Sequence, residues 1–143
     1  MKLLPLLTAL LYSASSALSA PTLHLFTWAD YINPDLVTRF EETNDCKVVI
    51  DTFDSAQSMY AKLKAGADGY DLIFPTSYMQ KVMQAEGMLL KLDPAKVPNI
   101  KHVDPALLKR LPDSKMETAV PYMISYNVIA VRTDKISDAK PTW

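Results

Sequence analysis

Residues 22–40, TLHLFTWADYINPDLVTRF, contain the unit that decides the fold. Thr22 to Thr27 alternates and is rich in strand formers, and Asn33-Pro34 joins an N-cap to a first helical residue. A strand therefore feeds a helix. In that helix Leu36, Val37 and Phe40 share one face while Asp35, Arg39 and Glu42 point away, the pattern of a helix laid on a sheet. The unit then recurs. Lys47 to Thr52 is a β-branched strand, Asp54 or Ser55 caps a helix with Met59, Tyr60 and Leu63 as its inner stripe, and Gly66 ends it. Tyr70 to Phe74 is a short apolar strand, after which Thr76 or Ser77 caps a helix with Met79, Val82 and Met83 inward, stopped by Gly87. Successive βα units predict an α/β fold with a parallel sheet, helices on its faces and the βα loops along one edge.

From Met88 to Asp113 the periodicity weakens and Pro94, Pro98, Pro105 and Pro112 intervene. This predicts a surface stretch interrupted by a short helix begun by Asp104-Pro105. Ala119 to Tyr122 and Ile124 to Val131 read as strands, the second long and apolar enough to run between two lobes. At the other end, Met1-Lys2, an apolar run from Leu3 to Tyr12 and small residues from Ser13 onward form the pattern of a secretory signal. Cleavage after Ser19 fits best, because Ala17 and Ser19 then occupy the small-residue positions and the mature chain starts at Ala20. The apolar run is too short to span a bilayer, and no cysteine at the junction indicates lipid attachment. The expected product is a soluble exported monomer.

Hydrophobic residues make up 49% and charged residues 22%, a composition that can build about one globular domain. Cys46 is the only cysteine, so an apolar core rather than a disulfide must hold the fold. The net charge is −1, and removal of Lys2 with the signal leaves 14 basic against 16 acidic residues. Lys and Arg are scattered among Asp and Glu, which makes nucleic acid and anionic membranes poor partners and leaves a cationic small ligand allowed. There is no GxSxG turn, HExxH helix or phosphate-cradling glycine loop, and His24 and His102 stand alone. Neither an enzyme nor a metal or other cofactor is expected.

Ligands of open α/β sheets bind outside the carboxyl ends of the strands. Those ends here are Thr27-Trp28-Ala29-Asp30-Tyr31, Phe53-Asp54-Ser55 and Pro75-Thr76-Ser77-Tyr78. The rim so formed carries aromatic faces, carboxylates and hydroxyls, equipment for holding an organic cation by stacking and charged hydrogen bonds. Trp28 and Tyr31 suit either packing or ligand contact. Asp30 suits a turn or a ligand, Asp54 a helix cap or a ligand, and Thr76 and Ser77 can cap and bind at once.

Four further stretches carry a family resemblance: Phe-Thr-Trp-Ala-Asp-Tyr-Ile-Asn-Pro-Asp at 26–35, Phe-Asp-Ser at 53–55, Lys-Leu-Lys-Ala-Gly at 62–66 and Tyr-Asp-Leu-Ile-Phe-Pro-Thr-Ser at 70–77. With Glu86-Gly87-Met88, Leu92-Asp93, His102-Val103-Asp104-Pro105 and Val120-Pro121-Tyr122, the chain resembles the periplasmic putrescine- and spermidine-binding proteins along nearly its whole mature length. The resemblance implies a two-lobed periplasmic binding protein of the type II kind that closes on a polyamine and presents it to the membrane permease of an ABC transporter. Residues 20–123 would then be an incomplete first lobe, and 124–143 a crossover strand and the start of the second. Trp28 and Tyr31 would be aromatic walls, Asp30 an ammonium-facing carboxylate and Thr76 a polar contact, with Ser77 and Tyr78 nearby. Ala29 departs from the family, which usually carries a hydroxyl there, and Ile124-Ser125-Tyr126 departs after the Pro-Tyr pair. Members of that family are more than twice as long and have further acidic and aromatic ligands in the second lobe. The expectation is therefore an N-terminal portion with one wall of a site, unstable on its own. The same fold with another small cationic or chelated cargo, an inactive truncated product and an exported enzyme are the alternatives.

Overall fold

The computed structural model describes residues 20–136, so the signal read at residues 1–19 and the end of the chain lie outside the described residues. Cα packing divides the chain into two compact units that meet in sequence at Pro75 and Thr76.

The first unit is built from β1 (Thr22–Trp28), α1 (Pro34–Asn44), β2 (Lys47–Phe53), α2 (Ala56–Lys64) and β3 (Leu72–Ile73). Its sheet has the order β2-β1-β3, and both pairings are parallel, as the repeated βα pattern predicts. β1 and β2 pair along their full length, from Thr22 opposite Lys47 to Trp28 opposite Phe53. β3 is shorter than the expected Tyr70–Phe74, because only Leu72 and Ile73 pair with Leu25 and Phe26. The residues around it are still tied to β1. The N–H of Asp71 donates to the His24 carbonyl at 2.9 Å, the Asp71 carboxylate accepts the His24 N–H at 2.8 Å, and Phe74 donates to Phe26 at 3.0 Å.

Helix ends follow the local chemistry. The Asn33 side chain accepts the Asp35 N–H at 2.9 Å with Pro34 at the first helical position, and Ser55 accepts the Ser58 N–H at 3.1 Å. After α2 the chain turns at Gly66 with φ 94, a conformation that favours glycine. Leu25, Phe26, Phe53, Ala56 and Met59 are buried. The inward face expected for α1 is a point of difference: none of its residues is buried, and Leu36 and Phe40 are about half exposed. Periodicity identifies the apolar side of a helix but not whether anything covers it.

In the second unit α3 (Ser77–Ala85) buries Met79 and Met83, whereas Val82, expected inward, is exposed and Gln80 is buried instead. The Gln80 amide donates to the Thr118 hydroxyl at 2.8 Å, which satisfies its burial. Beyond α3 come two 3₁₀ turns, Pro94–Lys96 and Pro98–His102, and the short helix α4 (Pro105–Leu108), capped by Asp104 as expected. The strands predicted at Ala119 to Tyr122 and Ile124 to Val131 do not form: among the described residues nothing pairs with them.

Candidate functional site

Because β1, β2 and β3 are parallel, the chain leaves them along one edge, at Trp28, Phe53 and Phe74. Trp28 closes β1, and its partner across the ladder is Phe53, the last residue of β2. Partners in register project to the same side, so the two rings stand together, with centroids 4.6 Å apart and planes at 63°. The indole N–H of Trp28 donates to the Phe74 carbonyl at 3.0 Å. Asp30 then takes a left-handed conformation, φ 59, which aspartate tolerates better than most residues. This turn leaves Asp30 exposed and brings the Tyr31 ring to 6.1 Å from Trp28.

Trp28, Asp30 and Tyr31 are thus gathered on one loop at the sheet edge. Thr76, Ser77 and Tyr78 open α3 in the second unit. Thr76 occupies the N-cap position, yet its hydroxyl makes no capping bond and is buried without a hydrogen-bond partner among the described residues. Ser77 and Tyr78 are exposed. Asp54 is not the cap of α2: Ser55 is, and Asp54 accepts the Ser58 hydroxyl at 2.9 Å.

An open groove of about 460 Å³ runs beside the aromatic pair, lined by Phe26, Ala29, Thr52, Phe53, Asp54, Ser58 and Lys62. The Lys62 ammonium lies 4.7 Å from the centre of the Phe26 ring and 5.2 Å from that of Tyr70. It donates to the Tyr70 hydroxyl at 2.6 Å and to the Asp51 carboxylate at 3.5 Å, and Tyr70 in turn donates to Asp51. The Tyr70 hydroxyl, aided by Lys62, holds the Asp51 carboxyl below the ordinary range against the opposing effect of desolvation. As an acceptor the same hydroxyl, with Asp51, raises the Lys62 ammonium. The Lys62 alkylammonium is thus held by aromatic faces and a carboxylate.

The linear order of the residues does not announce Phe53 as a support for Trp28, the Phe74 carbonyl as its acceptor, or the grouping of Asp51, Lys62 and Tyr70. Only Phe53 had an accessible signal, since aligning β1 with β2 end to end makes it the partner of Trp28. Among the described residues no three His, Cys, Asp or Glu side chains gather to hold a metal ion, and no helix is long and apolar enough to cross a membrane.

A parallel sheet with aromatic rings and carboxylates collected at its carboxyl edge is a ligand-capturing architecture. The chain belongs to the bacterial extracellular solute-binding proteins, which it matches over residues 35–143. It is 37% identical over 129 residues to the spermidine/putrescine-binding periplasmic protein of Salmonella typhimurium, which accounts for 90% of this chain and 37% of that one. Identity to the putrescine-binding periplasmic protein PotF of Escherichia coli is 42% over 120 residues, or 80% of this chain and 32% of the relative. Among solved structures, the lipoprotein TpPotD of Treponema pallidum superposes with a TM-score of 0.68 at 36% identity, covering 71% of this chain and 32% of that one. The chain therefore spans about a third of the length of the relatives it matches. The family resemblance carried by the motifs agrees with these comparisons.

Proposed function

We propose that this chain forms one wall of the polyamine site of a periplasmic receptor, which delivers its cargo to the permease of an ATP-driven transporter. The observation that carries this reading is the state of Trp28. The only hydrogen-bond donor of its side chain is engaged by the Phe74 carbonyl, so what that side chain offers a ligand is a π face, beside the Asp30 carboxylate and the Tyr31 ring. An alkylammonium is attracted to such a face and paired by such a carboxylate. The names of the relatives, which specify spermidine and putrescine, support the same cargo.

In this reading Thr76, Ser77 and Tyr78 supply polar contacts, residues 20–123 belong to the first lobe, and residues 124–143 begin the crossover to the second. Residues 1–19 direct export to the periplasm and are removed after Ser19, so intact-mass analysis of the secreted product should give an N-terminus at Ala20. The receptor binds its cargo as a monomer and does no chemistry on it. Isothermal titration calorimetry of the complete gene product with putrescine and spermidine tests the assignment. Saturable heat is expected, with affinity about tenfold weaker in Trp28→Ala; no heat with either polyamine sinks the reading. One residue favours a different cargo on the same fold: Ala29 brings no hydroxyl to the rim. A thermal-shift panel that includes amino-acid derivatives and metal chelates would reveal such a cargo by a larger shift than either polyamine produces.

A further inference from the structure

Trp28 is the last residue of its strand, half-buried, and followed by a chain reversal at Asp30. A large ring in that position has several staggered orientations open to it unless contacts select one. Two contacts do so. The Phe74 carbonyl holds the indole nitrogen at 3.0 Å, which fixes one point of the ring but leaves it free to tilt about that point. The Phe53 ring meets it at 4.6 Å and 63°, which fixes the plane.

Phe53 can do this because it is itself immobilised. It is only 8% exposed, and its ring packs edge-on against Phe26 with centroids 5.0 Å apart and planes at 80°. Phe26 is 1% exposed and stacked on Tyr70 at 4.6 Å and 10°. Aromatic contacts thus run from Tyr70 through Phe26 and Phe53 to Trp28, linking core to rim. The Tyr31 ring, on the loop, lies at the longer centroid distance of 6.1 Å from Trp28. Attraction of a cation to an indole depends on its lying over the ring face, so a tilted ring loses it even when the side chain is present.

We propose that Phe53 is a positioning residue for ligand capture: acting through Trp28, its ring sets the plane in which the indole presents its face. This rests on the reading of Trp28 as a wall of the polyamine site. Phe53→Leu keeps an apolar side chain of similar bulk but removes the edge-to-face contact, and Phe53→Tyr restores an aromatic edge. Both variants, made in the complete gene product, are compared with wild type by titration with putrescine and by hydrogen exchange of the Trp28 indole N–H. That NMR signal is assigned by its loss in Trp28→Phe.

In Phe53→Leu we expect exchange at least about threefold faster and putrescine affinity about threefold to tenfold weaker, with an unchanged far-UV spectrum. Phe53→Tyr should recover both. Wild-type affinity and exchange in the leucine variant would overturn the proposal, as would weakened affinity with unchanged indole exchange. Absence of binding by wild type would overturn the polyamine reading itself, a different result from selective loss in the leucine variant. Should Phe53→Leu fail to fold, the wild-type spectrum decides: a Trp28 indole N–H that exchanges as fast as a free indole, with no cross-relaxation to the Phe53 ring, would refute the positioning role.

Discussion

Two stretches of strand-forming residues in this chain have opposite fates. Thr22–Trp28 lies between two partners, and its centre is closed off, with Phe26 only 1% exposed. Ile124 to Val131 is richer still in apolar residues, yet among the described residues it pairs with nothing, and Tyr126 and Val128 are 76% and 79% exposed. The contrast shows what strand propensity measures. It is the fit of a side chain to a pleated, half-buried surface, and it is expressed only where a neighbouring ladder takes up the backbone N–H and C=O groups.

The most forceful way to break the comparison is truncation in the two stretches. Phe26→Ala removes a ring that touches Phe53, Tyr70 and Lys62 and should destabilise the fold by about 3–5 kcal/mol. Val128→Ala should change stability by less than about 0.5 kcal/mol. Urea unfolding followed by far-UV circular dichroism measures both. A loss in Val128→Ala approaching that of Phe26→Ala would mean that the second stretch is packed in solution, and the contrast would fail.

The same contrast explains which features could be read from the sequence. Asn33-Pro34, Ser55 and Gly66 act within a few residues of themselves, so α1, α2 and the alternation with β1 and β2 were visible. The exposure of Leu36 and Phe40 was not, because a helical stripe carries no information about what lies against it. Burial of Gln80 depends on Thr118, 38 residues away, and nothing local announces that partnership. At the site, the loop grouping of Trp28, Asp30 and Tyr31 followed from the strand end. The support of Trp28 by Phe53 and Phe74 arises from register, which exists only once the strands are paired.

A second test lies at the boundary between order by side chain and order by ladder. Immediately before the unpaired stretch, the buried Asp113 carboxylate accepts the N–H of Glu117 at 3.0 Å, of Thr118 at 2.8 Å and of Ala119 at 3.3 Å, together with the Thr118 hydroxyl at 3.0 Å. One side chain does there what a neighbouring strand does for β1. Burial alone would raise the Asp113 carboxyl, but these donors outweigh it and hold the group below the ordinary carboxylate range. A depressed folded value means that the unfolded chain binds the proton more tightly. The stabilisation is therefore complete above the unfolded value, near pH 4, and is lost as pH falls through the lower folded value. Asp113→Asn should cost about 1–3 kcal/mol at neutral pH, since an amide nitrogen cannot accept from the N–H groups left facing it. The gap between the thermal melts of wild type and variant should narrow as pH falls below the ordinary carboxylate range and Asp113 takes up its proton. A gap that stays constant on acidification would show that the carboxylate charge contributes nothing there.

The smallest expected effect concerns an inconsistency within β1 itself. Thr27 is buried at 1% exposure, and its hydroxyl has no hydrogen-bond partner among the described residues. A strand interior normally tolerates a hydroxyl only when its desolvation is offset by a bond. Valine has nearly the same shape and keeps the β-branch that favours strands, so Thr27→Val removes the unmet polar group without opening a cavity. The variant should be more stable than wild type by about 1 kcal/mol in urea unfolding. Because Thr27 adjoins Trp28, the result also bears on the role proposed for that edge. A gain in stability with unchanged polyamine affinity would assign the hydroxyl no binding role. A loss of stability would mean that Thr27 finds a partner in solution, and β1 would then be satisfied along its whole length.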